Sequence, residues 1–291
     1  MFLLSILACT VVPHPTVPTQ RPTAQPEMAT LLTPGPIVLE SVVSARWAVP
    51  LSGLLDLDDP AAAELEDVQT PIVLPVQVLT HPTEGVFIVD TGVSDAMARG
   101  EAGPTRGLVK GLVSDIEPVH SLGSILSKQT APLAGVLLTH AHLDHILGLP
   151  DVPVGTPVYI GPDEFTPRSM QNLVTRGTTG AAFEGHTVLE LRFEDAPSIE
   201  GLAAVDLIGD GTLYALHSPG HTVGSLAYLA RTTEGPVLMT GDTSHTWFGW
   251  DHGVPPGTYT ADGEANRASL NALRALAERG DVRVIIGHEV K

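Results

Sequence analysis

The chain has a single cysteine, Cys9, among its 291 residues. One thiol cannot close an intramolecular disulfide, nor can it supply a Cys-rich zinc site. Basic residues are scarce as well: 15 Lys plus Arg stand against 33 Asp plus Glu, for a formal net charge of −18. A field of that sign repels a phosphate backbone and argues against nucleic-acid binding through a basic face. It leaves neutral, apolar or cationic partners. Aromatic residues are few, with three Trp, four Tyr and six Phe. The chain is 43% hydrophobic and 16% charged, which is too apolar for intrinsic disorder and ordinary for a packed core. The first apolar run, Met1–Val12, falls short of the ~20 residues that a membrane-spanning helix needs.

That run has the character of an export signal. Ile6-Leu7-Ala8-Cys9 looks like a bacterial lipobox, in which the cysteine becomes the lipidated first residue, although no Lys or Arg precedes it. The expectation is a signal segment over 1–12 and an exported, periplasmic or lipid-anchored protein of the cell envelope. The alternative is an apolar N-terminus with no targeting role. Seven prolines lie between Pro13 and Pro36, among Thr, Gln and Ala. Proline removes backbone donors and favours extended, solvated chain, so 13–36 reads as a linker and 37–291 as the folded domain.

Alternating, β-branched runs predict strands over Ile37–Val49, Ile72–His81 and Gly85–Asp90, and further strands are expected over Val188–Phe193, Leu213–His217, Ser225–Ala230 and Pro236–Thr240. Buried strands are expected over Gly135–Thr139, Pro157–Ile160 and Val282–Ile286. Leu108–Lys128 and Pro162–Arg176 read as helices. Ala265–Arg279 is the clearest amphipathic helix, with Leu270, Leu273 and Leu276 at helical spacing.

Thr139-His140-Ala141-His142-Leu143-Asp144-His145 carries the strongest chemical signal. Three histidines and an aspartate follow an apolar strand directly. A strand end running into a tight loop can aim alternate side chains at one point, and neutral imidazole and carboxylate suit Zn²⁺ and other first-row ions. His221, Asp242 and His288 each follow a further β-type run and are flanked by small residues. Open α/β architectures build their sites from such strand ends.

These motifs, HxHxDH and then His, Asp and His spaced by 76, 21 and 46 residues, resemble the metallo-β-lactamase superfamily. Phe87-Ile88-Val89-Asp90-Thr91-Gly92 also fits its early strand ending in Asp-x-Gly. The resemblance spans the whole of 37–291. It implies an α/β fold, a four-layer αββα sandwich with two divalent metal ions, zinc foremost, at one edge. His140, His142 and His221 would hold the first metal. Asp144, His145 and His288 would hold the second, and Asp242 would bridge them. Asp90 would orient a ligand histidine by a hydrogen bond or simply cap its strand.

Antibiotic-hydrolysing members lack the bridging aspartate, and several use a cysteine ligand. Here Asp242 is present and the only cysteine is Cys9. The chain most resembles the N-acyl-homoserine lactonases, through Pro71–Gly92 and through Asn266–Leu270 ahead of the terminal Gly-His-acid. Those enzymes place a Tyr three residues after the bridging Asp, to meet the substrate carbonyl. Here that position is His245, expected either to donate an equivalent N–H or to be a surface loop residue. The implied activity is opening of a lactone or related ester by a metal-bridged hydroxide, with Asp144, Asp242 and His245 catalytic. The alternatives are a thioesterase, a phosphodiesterase or an iron-binding redox member of the fold. Trp247-Phe248-Gly249-Trp250 reads as the wall for an acyl chain, with Phe165 and Met170 facing it. The competing reading of Trp247, Phe248 and Trp250 is a buried anchor or a homodimer contact.

Overall fold

The computed structural model describes residues 15–16, 24–166 and 170–290, with nothing said of the side chains of 170–173. Residues 1–12 and Cys9, read as a targeting segment, lie outside the described residues. Among those described, no helix is long and apolar enough to cross a membrane.

The strands are β1 (Val38–Pro50), β2 (Gln69–His81), β3 (Gly85–Val89), β4 (Glu117–Pro118), β5 (Leu133–Leu137), β6 (Pro157–Ile160) and β7 (Thr187–Glu190). They form one sheet in the order β4-β1-β2-β3-β5-β6-β7. The second sheet, β13-β12-β11-β10-β9-β8, comprises β8 (Ser198–Ile199), β9 (Leu202–Asp206), β10 (Leu213–His217), β11 (Leu226–Thr232), β12 (Gly235–Met239) and β13 (Arg283–Ile285).

Side chains on a strand alternate between faces, so a strand buried on both sides must be apolar almost throughout. On β3, Val86 and Ile88 join one core while Val89 joins another. On β5, Val136 faces outward with Val86 and Ile88, and Leu137 faces inward. The second sheet mirrors this. Leu213, Ala215, Leu226, Tyr228, Val237 and Met239 meet Leu137 and Val89 between the sheets. Leu216, Leu229 and Leu238 turn the other way, onto Leu270, Leu273 and Leu276. Leu122, Ile125, Ile146, Ala182 and Phe183 cover the outer face of the first sheet. The result is the expected sequence of helix, sheet, sheet and helix layers.

The amphipathic helix runs over Gly263–Ala277, capped where Asp262 accepts from Ala265 N. Leu108–Lys128 is not one helix. Glycines interrupt it, and it breaks into turns at Val109–Leu112 and Leu122–Leu126 with β4 between them. The helix expected over Pro162–Arg176 starts later, at Met170, and ends at Ala182. Within 24–36, Met28–Leu31 forms a helical turn, and Leu31 is buried in the core that contains Leu276.

Close backbone approach sets the geometry at one ligand loop. Gly220 has φ +137°, and a Cβ there would lie 2.1 Å from Asn266 N. Gly220→Ala is therefore expected to lower stability by at least about 1–3 kcal/mol. Thermal unfolding of the metal-free variant against metal-free wild type checks this.

Candidate metal centre

Four strands end at one edge of the sandwich, and each delivers ligand-type side chains there. The segment after β5 carries His140 and His142, and the helical turn Leu143–Ile146 carries Asp144 and His145. The loops after β10, β12 and β13 carry His221, Asp242 and His288. These ligand atoms form two groups, His140/His142/His221 and Asp144/His145/Asp242/His288, with the atoms of each group within 4.8 Å of one another. The seven residues read as ligands are thus brought together.

Asp242 Oδ2 is the centre of the arrangement. It lies 3.2 Å from Nε2 of both His145 and His288, 3.5 Å from Nε2 of His221 and 3.6 Å from Nε2 of His140. Asp144 Oδ2 lies 3.3 Å from His288 Nε2 and 3.5 Å from His145 Nε2. Nδ1 of His142 and Nε2 of His221 face each other at 2.9 Å. His140 Nε2 and Asp242 Oδ1 are fully buried with no hydrogen-bond partner. Buried polar atoms left unpaired are costly, and a divalent cation among these donors removes that cost. The donor set of imidazoles and carboxylates is of the kind that holds such ions.

The far sides of the rings are anchored. Asp90 adopts φ +58°, a left-handed conformation that Asp tolerates better than most residues. Its carboxylate accepts from Thr139 N at 2.8 Å and Thr139 Oγ1 at 2.9 Å, and meets His145 Nδ1 at 2.8 Å. His288 Nδ1 donates to the Val73 carbonyl at 3.0 Å. Asp90 therefore touches His145, one of the histidines read as ligands, and does more than end β3.

Without a cation, the cluster balances its charge with protons. Burial opposes the charge on His288, but Asp242 and Asp144 outweigh it and raise the pKa to about 9. His145 moves well above the usual range for the same reasons, with Asp90 contributing. Burial drives His140 well below it and brings His142 down to about 4. Asp242 stays well below the carboxylate range: burial opposes its charge, but His288, His145 and His245 overcome that.

Several residues at the site carry no sequence signal. Glu164 is buried, and desolvation pushes its pKa up to about 7. It accepts from Ala141 N, Thr222 Oγ1 and Gly224 N at 2.8, 2.6 and 3.1 Å, tying the loop after β5 to the loop after β10. Its partners lie 23 to 60 residues away, so no local pattern marks it.

A cavity of about 1140 Å³ opens beside the ligands, lined by His142, Asp144, His221, Asp242, His245 and His288 together with Trp47, Phe165, Arg176 and Tyr259. Phe165, read as part of the acyl-chain wall, lines this cavity. The Trp247–Trp250 wall needs correction, because none of its aromatics lines the cavity. Trp250 is buried in the core with Leu270 and Leu273, and Trp247 packs against that same core. Phe248 packs on Leu55, Ala62 and Val254 and stacks on His252. These residues form a short helix, Trp247–His252, whose Thr246 cap turns it back onto the sandwich. The side chain of Met170 lies outside the description. His245 is 2% exposed, which removes the surface-loop reading.

Comparison with known proteins agrees with this geometry. Residues 76–288 match the model of the metallo-β-lactamase superfamily, and the chain belongs to that superfamily. It is 29% identical over 234 residues to an N-acyl homoserine lactonase, AttM, of Azorhizobium caulinodans, covering 77% of this chain and 83% of that one. Its fold is similar to that of B. thuringiensis AiiA with N-decanoyl-L-homoserine bound at the active site (TM-score 0.65, 18% identity, 87% and 93% of the two chains). It is also similar to AidC, a dizinc quorum-quenching lactonase (TM-score 0.57, 13% identity, 88% and 89%). The chain is a metal-dependent hydrolase.

Two outcomes follow from the site. Asp90→Asn keeps the side-chain volume but weakens the grip on His145. Metal affinity measured by chelator competition is expected to fall about 10–100-fold. Metal must also displace the protons held by His145 and His288, so apparent affinity should rise with pH between 6 and 8 and fall toward acid. The same competition assay across that range reads the slope.

Proposed function

We propose that the protein opens lactones, of the N-acyl-homoserine type or close to it, with two divalent ions, zinc foremost. The observation that carries this reading is the cavity. It brings a carboxylate-and-imidazole floor and apolar walls together in one space, as an acylated neutral ring requires. The likeness to the AttM lactonase supports it.

His140, His142 and His221 would hold one ion, Asp144, His145 and His288 the other, and Asp242 would face both. Two such ions polarise a carbonyl oxygen and make water nucleophilic at neutral pH. The chain's own residues do the rest. Asp90 and the Val73 carbonyl hold the rings of His145 and His288 in place. Asp144 and Asp242 line the cavity and can carry a proton to the departing ring oxygen. Trp47, Val49, Leu54, Ile72, Leu143 and Phe165 supply apolar surface for an acyl chain. Tyr259 is the one phenol among the lining residues and offers a hydroxyl toward a bound carbonyl.

Mass spectrometry of a lactone panel tests the reading. Gain of one water by acyl-homoserine lactones, abolished in Asp144→Asn, is expected. Turnover of thioesters or phosphodiesters with no lactone turnover would replace it. Trp47→Ala should raise KM for long acyl chains at least several-fold while sparing short ones. Trp250→Ala should instead lower stability by about 3–5 kcal/mol, the range for truncating a buried aromatic. Steady-state kinetics and thermal unfolding of the two variants separate these effects.

A further inference from the structure

His245 is wired like the ligand histidines. Its Nδ1 lies 3.2 Å from the Leu54 carbonyl oxygen, which can only accept, so Nδ1 carries the proton and donates. Nε2 is then the ring nitrogen turned toward the cluster. That atom lies 3.0 Å from Asp242 Oδ2. A buried imidazole nitrogen and a buried carboxylate oxygen at that distance can share a cation. A proton would serve this one pair. A metal ion would serve His221 Nε2 as well, which lies 3.5 Å from the same oxygen. Ligand atoms of His221, Asp242 and His245 fall within 4.8 Å of one another. His288 shows the same pattern, with Nδ1 on the Val73 carbonyl and Nε2 on Asp242. Ligating histidines characteristically donate their other N–H to a backbone carbonyl or carboxylate.

We infer that His245 is an additional metal ligand, binding through Nε2 the ion that Asp242 and His221 face, and not a hydrogen-bond donor to substrate. This rests on the metal-centre reading. It also explains why a lactonase-like chain lacks the Tyr at this position: Nδ1 is held by the Leu54 carbonyl and Nε2 is committed to the ion. A further nitrogen donor fills a coordination position and favours ions that accept more than four ligands.

Three proteins test it: wild type, His245→Ala and His245→Asn. The Asn amide can still donate to the Leu54 carbonyl from roughly the Nδ1 position, but it has no group at Nε2. Metal affinity is measured by competition with a chelator for Zn²⁺, and coordination by the visible spectrum of the Co²⁺-loaded proteins. Both variants are expected to lose at least about tenfold in affinity for one of the ions and to show an altered cobalt spectrum. Thermal unfolding of the metal-free forms confirms that they are folded. Wild-type affinity and spectrum in both variants, with reduced turnover, would overturn the inference in favour of a substrate donor. Recovery in His245→Asn alone would overturn it in favour of a structural role. Failure of wild type to bind Zn²⁺ or Co²⁺ at all would overturn the metal-centre reading itself.

Discussion

A single carboxylate oxygen organises this molecule. Oδ2 of Asp242 lies within 3.6 Å of an Nε2 atom from each of five histidines, carried by the segments after β5, β10, β12 and β13. Holding so many polar groups out of water is unfavourable, and the two sheets exist in large part to enforce it. Their inner faces pack Leu137, Val89, Leu213, Tyr228 and Met239 against one another. Glycines let the backbones approach. A Cβ at Gly287 would lie 2.4 Å from Asp242 Oδ1, so only a residue without a side chain fits there.

The cluster is balanced by what surrounds it. Each ring has one nitrogen turned toward the centre, and most have the other held from behind by a group outside the cluster: Asp90 for His145, Val73 for His288, Leu54 for His245, Thr260 for His221. Two of these supports are backbone carbonyls, which cannot lose their acceptor role through a side-chain change. The ring orientations are thereby fixed by the fold. Protons on His145 and His288 balance the acidic centre only until cations replace them, which makes metal binding and proton release one equilibrium.

Much of this was legible because strand ends keep ligands close to strong local signals. HxHxDH follows β5 at once, and His221, Asp242 and His288 each sit within a few residues of an apolar run. The layered fold was legible for the same reason, since strands buried on both faces read as continuous Val, Ile and Leu. The cavity walls were not. Trp47 comes from β1, Phe165 from the segment after β6 and Tyr259 from the loop before the last helix, so the wall is assembled across layers and has no sequence period. The cluster at Trp247–Trp250 misled because nearness to Asp242 in sequence is not nearness to the cavity. A helix begins at Trp247 and turns both tryptophans onto the core and Phe248 onto Leu55 and Val254. Glu164 and the Leu54 carbonyl were invisible because a single carboxylate or a main-chain oxygen carries no pattern.

The choice among substrates turns on charge as much as on shape. The chain's net charge is −18, and four carboxyl groups line the cavity, Asp144 and Asp242 at the cluster with Asp115 and Glu164. Two divalent cations would offset the cluster locally, but the surrounding field still disfavours the approach of an anionic phosphodiester. A lactone arrives neutral and becomes anionic only once its ring is open. The same field that tolerates the substrate then works against retention of the carboxylate product. Apolar walls and an acidic surround are thus compatible with a neutral acylated ring entering and a charged product leaving, and this order of charges favours ester opening over phosphoryl chemistry at this site.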